Sequence, residues 1–258
     1  MLIEGAFLKL PELLLSNFDH GSEVESTIVQ LLALALQMEM NARNIPRPFA
    51  SILIEKPYDG LPPGQKAIRA DLYVDLSDAI RFDGRMLAYG IRPKNWLEAK
   101  APLSTGRRRP ATLRAQLLAR DCLRLCLLPE ELPGPSTAAE NGRYLCWLLD
   151  SDPKTTLQND ALASILQLGT HRLEVEAGGV SLQASVRTLL FEPSTQNAPR
   201  PLFWGYLVRL GCFTAHSGGR SFTVADTPGT GFTHEAIGQL QALRDTFLAS
   251  EEADAPAI

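Results

Sequence analysis

The chain has 258 residues, 45% of them hydrophobic, and a formal net charge of −4. That is enough apolar material for one large core or two smaller ones, and it excludes wholesale disorder. The longest apolar run, Ile28 to Met38, is broken by Gln30 and Gln37 and is too short to cross a bilayer.

Ser22-Glu23-Val24-Glu25 is a capping-box pattern that predicts a helix to about Arg43, with Val24, Ile28, Leu31, Leu32, Ala35 and Leu36 on one face. Pro46 and Pro48 end it. Residues 50–56 read as a strand, followed by the turn-rich stretch 57–64. Residues 66–76 form a second expected strand, Asp83-Gly84 a hairpin tip, and Trp96 to Lys100 a third strand. After a loop at 102–110, a helix is expected over 111–128, packing through Leu113, Leu117, Leu118 and Leu125. Tyr144 to Leu149 is a near-continuous apolar run, fit for a strand covered on both faces. The texture then changes: a helix over 155–168, strands at 172–176, 181–191, 203–213 and 221–224, and an amphipathic helix over 233–250. The pattern is α/β. Residues 1–152 form one unit, and 153–258 an α+β extension that either stands apart or continues the same sheet.

The candidate site lies in Glu98-Ala99-Lys100. Successive strand residues alternate faces, so Glu98 and Lys100 project together while Ala99 points away. Such a triplet alone says little, because with 29 acids in the chain chance supplies roughly 0.7 of them. A second, Asp152-Pro153-Lys154, has proline inside it and reads as a turn. The first is distinguished by its context. It ends an apolar strand, follows a strand bearing Asp71, and precedes an arginine-rich loop and helix. Asp75 shares the face of Asp71 and is its rival as a metal ligand. At roughly 100° per residue, Glu25 falls on the face of Ile28, Leu32 and Leu36, where it is either the inner residue of the capping box or a third acid of the site.

Asp71, Glu98 and Lys100, in the order helix, three strands, helix, strand, resemble the PD-(D/E)XK nuclease superfamily, which includes the restriction endonucleases. The resemblance covers about residues 20–150. Ala70-Asp71 stands for the Pro-Asp of the family, with alanine in place of proline. Gln116 falls where several of its families carry a glutamine, although their following tyrosine is Arg120 here. The resemblance implies a restriction endonuclease-like core with a mixed central sheet, and Mg²⁺-dependent phosphodiester hydrolysis leaving a 5′-phosphate. Mg²⁺, with Mn²⁺ as a substitute, would be held by Asp71, Glu98 and the carbonyl of Ala99, and would lower the pKa of a bound water. Lys100 would orient or deprotonate that water and offset charge in the transition state.

Ten basic residues and only two acids lie between Arg85 and Arg124, so a positive patch is expected on an otherwise acidic body. Arg107, Arg108, Arg109 and Arg114 are the expected phosphate contacts, with DNA as the nucleic-acid partner. The expected function is a DNA endonuclease, with restriction or antiviral defence as its setting by family association. The alternative is a catalytically inactive nuclease-like scaffold. The C-terminal region is a candidate for target recognition, dimerisation or docking to a protein partner. Cys122, Cys126, Cys146 and Cys212 show no CxxC spacing and read as buried thiols, and Met1 to Glu4 shows no secretion signal, so a cytoplasmic protein without a membrane partner is expected. Four histidines without HxxxH spacing make zinc unexpected. Pro228-Gly229-Thr230-Gly231 lacks the lysine and hydroxyl of a phosphate loop.

Overall fold

The computed structural model describes residues 2–17, 24–59, 61, 68–82, 92–101, 111–129, 141–150, 152–158, 160–193, 203–225 and 232–253. Two short helices come first, α1 (Leu2–Phe7) and α2 (Leu10–Asn17), then the long α3 (Val24–Ala42). Next are β1 (Ile52–Pro57), β2 (Arg69–Asp75), the short α4 (Ser77–Phe82), β3 (Lys94–Lys100), α5 (Ala111–Leu127) and β4 (Asn141–Leu149). Two more short helices, α6 (Pro153–Thr156) and α7 (Asp160–Ile165), precede β5 (Gly169–Ala177), β6 (Val180–Phe191), β7 (Trp204–Ser217) and β8 (Arg220–Val224). Helix α8 (His234–Ala253) is last.

The described strands form one mixed, open sheet of eight, in the order β1-β2-β3-β4-β7-β6-β5 with β8 on β7. Among the described strands only β3 and β4 pair in parallel, as their connection through α5 allows. Strand β4 continues antiparallel into β7, from Arg143↔Leu210 to Leu149↔Trp204, so the C-terminal strands extend the same sheet. The second half of β7 pairs with β8 along the edge that its first half gives to β4.

Alternation along the strands sorts two apolar layers. Leu72, Val74, Leu97, Ala99, Tyr144, Cys146 and Leu148 face α1, α2 and α3. Trp96, Leu145, Trp147 and Leu149 face α5 and α8. The unbroken apolar run in β4 therefore follows from burial on both sides. Arg244 of α8 is fully buried and donates through Nε to the carbonyl of Leu127 at 2.7 Å, tying the last helix to the end of α5. Such a cation satisfies a terminal helix carbonyl and suits the negative end of the helix dipole.

Several elements differ from the sequence reading. The expected single helix over 155–168 is two short ones, α6 and α7. Helices α1, α2 and α4 were not anticipated, because six to eight residues carry too little periodicity to be distinguished from a loop. On α5 the packed face runs through Ala115, Leu118, Ala119, Cys122 and Leu125, while Leu113 is 40% exposed. The expected hairpin tip at Asp83-Gly84, the loop at 102–110, Ser22 and Glu23 of the capping box and Pro228–Gly231 lie outside the described residues. No described helix is long and apolar enough to cross a membrane. All four cysteines are free thiols, and Cys122, Cys126 and Cys146 are buried.

Candidate active site

The site begins where a ladder stops. β2 and β3 pair from Asp75↔Lys94 to Leu72↔Leu97 and no further. Beyond that point Asp71 supplies with its side chain what the backbone no longer does: its Oδ2 accepts the Ala99 N–H at 2.6 Å. The bond keeps a buried peptide donor satisfied and fixes the carboxylate beside the end of β3.

Lys100 projects into the same place. Its Nζ lies 2.9 Å from Glu25 Oε1, 3.4 Å from Asp71 Oδ2 and 3.7 Å from Glu98 Oε2. Strand periodicity thus brings Glu98 and Lys100 together, and the helical spacing of α3 brings Glu25, although the Glu25 side chain is about half exposed. Glu98 is the opposite case. It is 2% exposed, and Tyr58 donates its hydroxyl proton to Glu98 Oε1 at 2.5 Å. Burial, and then Asp121 and Asp71, push the Glu98 carboxyl well above the usual range against the pull of Lys100. Burial and Glu98 likewise push the Tyr58 hydroxyl up. Burial by itself lowers the pKa of the Lys100 ammonium. Asp121, Glu98, Asp71 and Glu25 outweigh that and raise its pKa, so it stays charged.

A break in side-chain alternation precedes Tyr58. Ile52 packs toward the α3 layer and Tyr58 in the α5 layer, although both are even-numbered. Between them Glu55 has φ +53°, a left-handed residue that breaks the alternation. Tyr58 then stacks on Trp96 at 5.1 Å, and Lys56, ion-paired with Asp59, sits 4.8 Å from the centre of the Trp96 ring. The aromatic shelf closes the site on the β1 side.

The remaining candidates fall elsewhere. Asp75 accepts from Tyr73 Oη at 3.1 Å and from the Ser77 N–H at 2.9 Å, at the start of α4, so Asp71 and not Asp75 shares Lys100. Gln116 is exposed on α5. Arg114 is half-buried on α5, its Nε buried and without a hydrogen-bond partner among the described residues. Arg107, Arg108 and Arg109 lie outside the described residues. The sequence reading missed Tyr58 and also Asp121 of α5. Asp121 is 2% exposed, and burial raises its pKa to about 6 against the pull of Lys100 and Arg124. Its signal was an acid between Leu118 and Cys122 on an otherwise apolar helix face.

Oxygen donors suit a hard divalent cation, and Asp71 and Glu98 flank one positive charge already, the ammonium of Lys100. Ala99 stands between Glu98 and Lys100 at 1% exposure, its N–H committed to Asp71. Against this, one Glu98 oxygen is engaged by Tyr58, and no three His, Cys, Asp or Glu side chains among the described residues are grouped to hold a metal ion. The fit is that of two carboxylates completed by backbone and water. Comparison with family models, with curated proteins and with solved structures finds no match to this chain.

Proposed function

We propose that this chain is a Mg²⁺-dependent nuclease of the PD-(D/E)XK kind, an endonuclease acting on DNA. The observation that carries the reading is the convergence of Asp71, Glu98 and Lys100 where the β2–β3 ladder ends. The order α3, β1, β2, β3, α5, β4, interrupted only by the short α4 between β2 and β3, with one helix layer on each face and a parallel β3–β4 pair, supports a restriction endonuclease-like core. Asp71, Glu98 and the Ala99 carbonyl would hold the cation, which when bound neutralises phosphate charge and acidifies a water.

The chain's own residues do the rest. The Ala99 N–H fixes Asp71, and Tyr58 fixes Glu98, so neither carboxylate has to be ordered at the moment of reaction. Lys100, held charged, donates hydrogen bonds and a positive charge to a phosphate oxygen or to the attacking water; in this environment it is not a proton acceptor. Glu25 aims it. Arg114, with Arg107, Arg108 and Arg109, would bind backbone phosphates without reading sequence.

One observation favours a rival, a catalytically inactive scaffold or nucleic-acid-binding subunit: Glu98 is deeply buried under Tyr58 and the charges already satisfy one another. Purified protein with supercoiled plasmid or RNA, in Mg²⁺, Mn²⁺ or EDTA, separates the two. The nuclease predicts metal-dependent nicking that Glu98→Gln and Lys100→Ala each abolish while DNA binding persists. Binding by the wild-type chain without cleavage in either metal establishes the rival.

A further inference from the structure

Among the described strands, β1, β5 and β8 each have a neighbour on one side only, and these edges are not alike. Strand β5 exposes Thr170, Arg172, Glu174 and Glu176, and β8 exposes Arg220, Ser221 and Thr223. Charged and polar edges of that kind discourage pairing with other chains. Strand β1 instead opens with the unbroken apolar run Ile52-Leu53-Ile54. Leu53 and Ile54 are each about half exposed, and Phe49, just ahead of the strand, is more exposed still. The backbone orientation of this run follows from its other side. Asp75 of β2 donates its N–H to the Ser51 carbonyl at 2.8 Å, so the peptide groups of Ser51 face β2. In the antiparallel register Ile52↔Val74 to Ile54↔Leu72, alternate residues face alternate ways, and those of Ile52 and Ile54 point outward.

We propose that this edge pairs with a second copy of the chain, β1 against β1, antiparallel about a two-fold axis through Leu53. In that register Ile52 stands opposite the partner's Ile54, and their outward peptide groups exchange both hydrogen bonds of a ladder pair. Leu53 meets the partner's Leu53 on one face, and the isoleucines meet on the other, so apolar side chains oppose apolar side chains throughout. Neighbouring registers lose this match. Moving the axis to Ile54 sets Ile52 against Lys56, and moving it to Ile52 sets Leu53 against Ser51. Glu55, left-handed at φ +53°, closes the run at Ile54 and keeps the ladder short. Any extended strand finds the same peptide groups; the apolar match on both faces is what singles out this chain itself, because a two-fold interface must be complementary to itself. The interface does not depend on the nuclease reading.

Sedimentation velocity of the full chain over a wide range of concentration should show a reversible monomer–dimer equilibrium. Leu53→Lys sets two ammonium groups opposite each other at the axis and should weaken the dimer about tenfold or more. Its circular dichroism spectrum should be unchanged, because the position is half exposed. Register is read by cross-linking in a Cys212→Ser background, which removes the one thiol that is not buried. On oxidation Leu53→Cys should form a covalent dimer, since residues facing each other across the axis lie within disulfide reach. Ile54→Cys should not, its counterpart lying two residues farther along. A chain that stays monomeric at every concentration overturns the proposal and leaves the edge to a strand of another protein. A dimer indifferent to Leu53→Lys overturns it by placing the contact elsewhere. No more cross-linking by Leu53→Cys than by Ile54→Cys overturns it by excluding the register.

Discussion

Two acid-x-lysine triplets in this chain have the same chemistry on paper and opposite fates. Glu98-Ala99-Lys100 ends a strand paired on both sides, so its charges meet Asp71 of β2, Glu25 of α3 and Tyr58 just after β1. Asp152-Pro153-Lys154, expected as a turn, instead opens α6: Asp152 accepts the Lys154 N–H at 2.9 Å and Pro153 takes the first helical position. Proline is preorganised there, where its missing N–H costs nothing. In one triplet the acid and lysine share a face because strands alternate. In the other, the acid turns back on its own backbone. The residue pattern selects neither outcome; the flanking geometry does.

The widest gap between the two should appear at the lysines. Lys100→Met strands Glu98, and urea denaturation should show a loss of about 3 kcal/mol, as for a buried ion pair deprived of one partner. Lys154→Met, at an exposed position, should stay within about 0.5 kcal/mol. Equal effects would erase the distinction.

pH sharpens it next. Asp121 titrates near 3.8 unfolded and near 6 folded, so between these values the native chain holds the proton that the unfolded chain has lost. Stability from this group is therefore fully present below about pH 4 and falls as pH rises through the window to about 6, by on the order of 2 kcal/mol. Glu98 shifts in the same direction. Urea midpoints across that window should flatten in Asp121→Asn. The smallest effect belongs to the helix start, where Asp152→Ala should cost about 1 kcal/mol through the lost cap, with no change in cleavage.

Where a regular period governs a segment, its side chains could be followed from sequence. The two-residue period of β3 put Glu98 and Lys100 together, and the period of α3 put Glu25 on their side. Where a single residue breaks the period, the reading fails. Tyr58 was invisible because Glu55, a non-glycine with positive φ inside β1, upsets the simple alternation of faces that would otherwise be carried forward to it. Asp121 counted only as one of the two acids in the basic stretch from Arg85 to Arg124, and its burial, 2% exposed, is a matter of tertiary packing that this count does not carry. Gln116 was placed by analogy of position instead of by helix face; the half turn separating it from Arg114 decides its exposure. The ending of the β2–β3 ladder, on which the whole arrangement turns, is a relation between two strands, and neither segment encodes it alone.

Strand β7 is fourteen residues long, paired along one edge with β6 and along the other with β4 and then β8. A chain stopped after β4 would present that strand's seven bare ladder positions, Arg143 to Leu149, to water with apolar side chains on both faces. Such an edge recruits other chains. Trimming this protein to its first 152 residues should therefore yield precipitate instead of a minimal enzyme, and soluble material will require the strand that covers β4, β7, to be kept in the same chain.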